Sequence, residues 1–298
     1  MLALIAGRGA LPAAVAQAQD DTPLICSLMG NDPDGLSIDI PFRFEQLGSF
    51  LDTLSARGVR EVCFCGGVER PVIDPVMIDA RTAPLVPTLA GVAAGGEDSA
   101  LRAIVGIFEE TGFVVRGADA LAPDLLPEAG VLSTSGLPDD ILAQAALADQ
   151  TLAEQAARDL GQACVIRNGT VVAREDARGT DAMLADLAAP YAAPDMSGGD
   201  PFSFAMDVVG DALDAAADWL SGPVAEARAD AKGGTLFKAP KPAQDRRVDL
   251  PTIGPNTAMR AAEAGLDGIV IAHKGVMVLD QPRVRAILDA MGMFLWVR

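Results

Sequence analysis

Short apolar runs alternate with amphipathic stretches along the first 120 residues. Leu2 to Ala6 is apolar and ends in Gly7-Arg8-Gly9, after which Pro12 opens an Ala-rich segment with helical spacing. Leu24 to Leu28 reads as a second strand. Phe44 to Arg57 is amphipathic and stops at Gly58. Glu61 to Cys65 is a third buried strand, broken by Gly66-Gly67, and the pattern predicts a helix over Asp98 to Thr111 followed by a strand over Phe113 to Arg116. Strands separated by helices predict a parallel sheet with crossovers in a Rossmann-like layout.

Gly130 to Asp140, rich in Gly, Ser, Thr and Pro, is the best linker candidate. Beyond it lie a long Ala-rich helix pattern (Asp140 to Gly161) and a hairpin from Cys164 to Arg174 with Asn168-Gly169 at its turn. Helices are expected over Pro255 to Gly265 and Gln281 to Met291, and strands over Gly268 to Ala272, Val276 to Leu279 and Met293 to Val297. The expectation is an α/β chain. A Rossmann-like parallel-sheet N-terminal domain (residues 1–135) precedes a distinct α/β C-terminal domain (residues 136–298).

Charge narrows the functions available. Against 41 acidic residues stand 23 Lys and Arg, a net of -18, and binding along a nucleic-acid backbone needs the opposite sign. The one histidine, His273, rules out a His-rich zinc or dinuclear centre within one chain, so a divalent metal would sit on oxygen ligands, as magnesium or manganese do. Cys26, Cys63, Cys65 and Cys164 lie in apolar stretches and read as free core thiols. The start lacks the basic region of a signal peptide, and no run of 18 apolar residues is present; a soluble, cytoplasmic protein is expected.

Charge is also unevenly placed. Residues 181–231 carry ten acids and one base, with Asp207, Asp211, Asp214 and Asp218 on one face of an amphipathic segment from Ala205 to Leu220 that reads as a solvated acidic face. In residues 232–247 the sign reverses: Lys232, Lys238, Lys241, Arg246 and Arg247 face only Asp245. Such a basic stretch either holds an anion or balances the acids before it.

The Gly7-Arg8-Gly9 turn, between strand and helix, either offers backbone N–H groups to a phosphate or is a tight structural turn. Its spacing is not Gly-x-Gly-x-x-Gly, which weakens a nicotinamide dinucleotide reading. Gly66-Gly67 with Arg70 after a strand poses the same choice. The densest constellation runs from Lys238 to Gly254. Four cations and two carboxylates fall within residues 238–249, three prolines stiffen the stretch, and Asp249 sits between apolar Val248 and Leu250. Metal ligands, phosphate clamps and an oriented acid are what phosphoryl-type chemistry requires. A non-catalytic lipid or nucleotide-sugar binder would keep the cations without needing the acid.

These blocks resemble the LpxI family, the UDP-2,3-diacylglucosamine pyrophosphatases of lipid A biosynthesis. The resemblance rests on Leu4-Ile5-Ala6-Gly7 with Gly9, Leu11 and Pro12; on Gly67 with Arg70-Pro71; on Gly96-Glu97-Asp98 with Leu101-Arg102; and on Glu175 with Gly179-Thr180-Asp181-Ala182-Met183-Leu184. Most specific are Lys238-Ala-Pro-Lys241-Pro and Arg247-Val248-Asp249-Leu250-Pro251-Thr252-Ile253-Gly254, and the blocks run in family order over nearly the whole chain.

The resemblance implies a Rossmann-like first domain, a distinct second domain with the lipid held between them, and a homodimer formed by exchange of parts. It implies Mg2+-dependent removal of UMP from UDP-2,3-diacylglucosamine to leave lipid X. A surface so acidic is repelled by anionic lipid, so contact with the inner-membrane surface is expected to be local and weak, through an apolar rim; Phe202 to Leu220 reads either as that rim or as a helix packed on its own domain. By the same resemblance Asp249 is the catalytic or metal-binding acid, with Asp98 and Asp181 as further metal ligands or substrate contacts. Gly7, Gly9, Gly67, Arg70, Gly179, Thr180, Lys238, Lys241, Arg247, Thr252 and Gly254 fall among the implied substrate contacts. Glu97 keeps the charge of an expected aspartate but reaches farther, and the acidic stretch from about 188 to 230 reads as an insertion.

Overall fold

The structure is a computed structural model that describes residues 1–69, 72–93, 97–188, 233–242 and 244–298; of residues 90–93, 97 and 98 it describes the backbone. Arg70, Gly96 and the acidic stretch from residue 189 onward, including the Ala205 to Leu220 segment, lie outside the described residues. The chain divides into two compact units. One is Met1–Leu126 with Ala243–Leu250, the other Pro127–Pro242 with Pro251–Arg298.

The first unit is built on β1 (Leu2–Ala6), α1 (Leu11–Gln17), β2 (Leu24–Leu28), β3 (Ile40–Phe42), α2 (Leu47–Ala56), β4 (Glu61–Cys65), α3 (Val86–Ala93), α4 (Glu97–Glu110), β5 (Val114–Val115) and α5 (Ala118–Leu121). Its five strands are all parallel, in the order β3-β2-β1-β4-β5, the doubly wound arrangement that the strand–helix alternation predicts. β3 escaped the sequence reading, because three residues around Pro41 carry little periodic signal and the strand exists through pairing with β2. Phe50 and Phe108 from the helices join Val62, Val105 and Val115 in one apolar cluster. Within it Phe42 stacks on Phe50 at 4.0 Å, and Phe64 meets Phe108 edge-on at 5.0 Å.

The second unit contains β6 (Gly130–Val131), α6 (Ile141–Ala156), β7 (Ala163–Arg167), β8 (Thr170–Arg174), α7 (Thr180–Ala188), β9 (Thr235–Lys238), β10 (Thr252–Ile253), α8 (Pro255–Glu263), β11 (Gly268–Ile271), β12 (Met277–Val278), α9 (Gln281–Ala290) and β13 (Phe294–Val297). Its main sheet is mixed, in the order β6-β13-β11-β9-β7-β8, with β9, β11 and β13 parallel and the others antiparallel to their neighbours; β10 and β12 form a separate parallel pair. The Asn168-Gly169 hairpin forms as expected, both residues having positive φ (51° and 71°) as a type I′ turn requires. Successive β9 residues divide between the two faces. Leu236 joins the core under α7, α8 and α9, and Phe237 joins the cluster under α6.

One expectation needs correction. The candidate linker from Gly130 to Asp140 begins as strand β6, paired antiparallel with β13, where Gly130 takes a φ of 133°. Within the basic stretch, Thr235–Lys238 is a fully buried strand between β7 and β11. All four cysteines are free and buried, and burial pushes the Cys26 and Cys164 thiols up to about 12. No helix among the described residues is long and apolar enough to cross a membrane.

Candidate functional site

In the first unit the two glycine turns pack backbone against backbone. Arg8 N–H donates to Gly67 C=O (2.8 Å), Gly67 N–H donates back to Arg8 C=O (2.9 Å), and Gly7 N–H donates to Cys65 C=O (2.8 Å). A Cβ at Gly7 would lie 2.4 Å from the Gly67 oxygen, and one at Gly66 would lie 2.6 Å from the Gly7 oxygen. These two glycines therefore have a packing reason to be glycine. Gly9 differs: its φ is 89° and nothing lies within 4 Å of a Cβ built there. The Arg8 guanidinium donates to Gly30 C=O (2.7 Å) and pairs with Glu69.

The segment 244–250 packs with the same unit. Val248 inserts against its apolar core, and the N–H groups of Val248 and Asp249 both donate to Asp245 C=O at 3.1 Å. That closes a turn and fixes the backbone that carries Asp249, whose side chain is half-buried. Arg247 donates to both carboxylate oxygens of Asp245, the closest contact at 2.7 Å, and to Glu109 Oε1 on α4 at 2.6 Å. The guanidinium holds the Asp245 carboxyl below its usual range, and the two carboxylates raise the Arg247 pKa. Arg246 pairs with Asp119 at 3.5 Å. Asp98 lies in the first turn of the helix that carries Glu109.

In the second unit three sequence-predicted residues meet. Lys238 Nζ donates to Thr180 Oγ1 (2.8 Å) and to Thr252 C=O (3.1 Å), and its side chain is buried. Thr180 Oγ1 in turn donates to Glu175 Oε1 (2.6 Å), whose other oxygen accepts from Gln162 N–H (2.6 Å). A buried ammonium and a buried carboxylate are thus joined through one hydroxyl, which is how such charges tolerate removal from water. Residue-type reasoning did not single out Glu175, although it stands in one of the blocks that carry the family resemblance, and Gln162 carried no signal.

Gly179, with φ 87°, makes the turn into α7, and Asp181 in its first turn accepts from Asn256 Nδ2 at 3.2 Å. Gly254 is the N-cap of α8, one residue beyond β10. Lys241 pairs with Asp159 at 2.7 Å, apart from the Lys238 network. Gly7 and Gly67 thus meet in the first unit, where Asp249 and Arg247 share one turn, and Thr180, Lys238 and Thr252 meet in the second.

Comparison with known proteins matches the description "LpxI N-terminal domain" over residues 1–125 and "LpxI C-terminal domain" over residues 128–200 and 211–296. The chain belongs to the LpxI family. A curated relative, the UDP-2,3-diacylglucosamine pyrophosphatase LpxI of Caulobacter vibrioides (strain ATCC 19089 / CIP 103742 / CB 15), is 33% identical over 306 residues, covering 99% of this chain and 96% of the relative. The two LpxI descriptions meet between residues 125 and 128, close to where the structure passes from one unit to the other at Leu126. Only residues 201–210 fall between the matched LpxI segments of the second half, inside the acidic stretch.

Proposed function

We propose that this chain hydrolyses the diphosphate of UDP-2,3-diacylglucosamine to UMP and 2,3-diacylglucosamine 1-phosphate (lipid X), at the cytoplasmic side of the inner membrane, in lipid A biosynthesis. The observation that carries the reading is full-length similarity to a pyrophosphatase of that specificity, together with the ordered turn that presents Asp249 among cations. Water attacks one phosphorus, a P–O bond forms, and the bond from that phosphorus to the bridging oxygen breaks. Asp249 orients the water and takes its proton, and the second phosphate leaves as an anion. Arg247 is already planar and paired at two edges, so a phosphate can replace a carboxylate on the same fork.

A magnesium requirement belongs to the same proposal, with manganese as a substitute. Among the described residues no three His, Cys, Asp or Glu side chains come together to cage a metal. Magnesium needs no such cage, since it is commonly held by one or two carboxylates plus water and substrate phosphate. Asp249 is the proposed carboxylate, with Asp98 of the same unit as a further acid. The ion, when bound, neutralises phosphate oxygens during transfer. A homodimer completes the reading on the family resemblance, and its mass in solution is the check.

The test is UMP release from UDP-2,3-diacylglucosamine with magnesium and with EDTA, for the wild type and for Asp249→Ala. Magnesium-dependent release that falls about 1,000-fold in the variant supports the proposal. Undiminished release from the variant moves the acid elsewhere. No release from the wild type, with substrate binding intact, favours a non-catalytic lipid or nucleotide-sugar binder.

A further inference from the structure

The segment after the second glycine turn exposes apolar side chains where a soluble surface would bury or omit them. Val72 is 93% exposed, Val76 89%, Met77 42% and Ile73 38%, four large apolar groups within six residues. Single exposed apolar residues are ordinary, whereas a contiguous group calls for an occupant.

This segment is presented and not loose. Asp74 N–H donates to Glu45 Oε1 at 3.1 Å, and Asp79 N–H donates to Glu45 C=O at 3.2 Å. Glu45 is itself buried, and the Asp74 N–H holds its carboxyl below the usual range. Between those ties the Asp74 carboxylate accepts from Val76 N–H (3.0 Å), and Pro75 stiffens the turn. The carboxylate of Asp74, the one charged group in residues 72–77, is thereby turned onto its own backbone, while Val72 and Val76 are the most exposed of the four apolar residues.

Its place in the fold supplies the occupant. Glu45 follows β3, and Asn31, which accepts from Glu69 N–H at 2.8 Å, follows β2. The apolar group therefore sits at the carboxyl ends of parallel strands, where open α/β sheets take their ligands. Under the reading above, which this inference rests on, the substrate carries two acyl chains and resides in a bilayer. We propose that Val72, Ile73, Val76 and Met77 form a lipid-surface contact that seats this edge of the first unit against a bilayer while substrate is taken up. With a net charge of -18 the chain is repelled by anionic headgroups, so the contact is carried by apolar burial and is strongest on neutral lipid.

The experiment is co-sedimentation of the full chain with phosphatidylcholine vesicles, for the wild type and for Val72→Asp/Val76→Asp. Both side chains lie on the surface, so the variant is expected to fold and to hydrolyse a short-acyl, water-soluble substrate at the wild-type rate. The vesicle-bound fraction should fall about tenfold. Failure of the wild type to sediment, or equal sedimentation of the variant, overturns the proposal. So does conversion of a dimer to a monomer by the variant, which would assign the patch to a second copy of the chain. Loss of vesicle binding with no hydrolysis by either protein keeps the lipid contact and refutes the reaction instead.

Discussion

Arg247 in the first unit and Lys238 in the second were grouped by sequence into one basic stretch, yet the fold gives them opposite surroundings. Arg247 is about half exposed and held by two carboxylates, one two residues away and one on α4. Lys238 is 8% exposed and bonds a hydroxyl and a carbonyl deep under α7. An exposed ion pair exchanges readily with water and ligand and contributes little to stability. A buried ammonium exchanges with nothing cheaply, because its alternative is an unsolvated charge. Proximity in sequence among cations therefore says little about which of them is free to meet a phosphate.

The largest effect expected from this contrast is on stability at Lys238. Lys238→Met leaves Glu175 and Thr180 without the ammonium and should cost about 3 kcal/mol in urea unfolding. Adding Glu175→Gln should recover part of that loss. Equal stability of Lys238→Met and wild type would show that the buried network does not act as a unit.

Arg247→Ala should reverse the pattern. Unfolding should change by less than about 1 kcal/mol, while kcat/KM for UDP-2,3-diacylglucosamine should fall by about 30-fold. A large loss of stability with unchanged turnover would make the fork structural and erase the contrast.

The smallest effect concerns pH. The Asp245 carboxyl is held below its ordinary 3.8 by the Arg247 guanidinium, so the folded state binds its proton less readily than the unfolded chain. Its contribution is complete above 3.8 and is lost as pH falls through the lower folded-state value. The stability difference between wild type and Asp245→Asn should therefore be constant from neutral pH down to about pH 5 and close only in strong acid. A gap that closes near neutrality would place the relevant titration elsewhere.

Much of the first unit was readable because its strands announce themselves locally. Leu2–Ala6, Leu24–Leu28 and Glu61–Cys65 are apolar runs cut by turns, and the structure keeps those bounds. β9 was not readable. Thr235–Lys238 ends on a lysine in a stretch full of glycine and proline, and it is a strand because β7 and β11 pair with it on both edges. The lysine is tolerated there by Thr180, 58 residues earlier, and by the carbonyl of Thr252, 14 residues later.

The candidate site divides in the same way. The residue types and their order around Asp249 were legible, and they carry the family resemblance. The partners of those residues were not, since Glu109, Asp119 and Asp159 lie 138, 127 and 82 residues from the cations they pair with. What the chain's sequence determined alone was its class, its alternation of elements and its chemical vocabulary, because period, turn residues and charge act over a few neighbours. Which cation is buried, which is exposed and which glycine is needed for packing were decided by tertiary structure, because each depends on groups that only folding brings within hydrogen-bond or van der Waals distance.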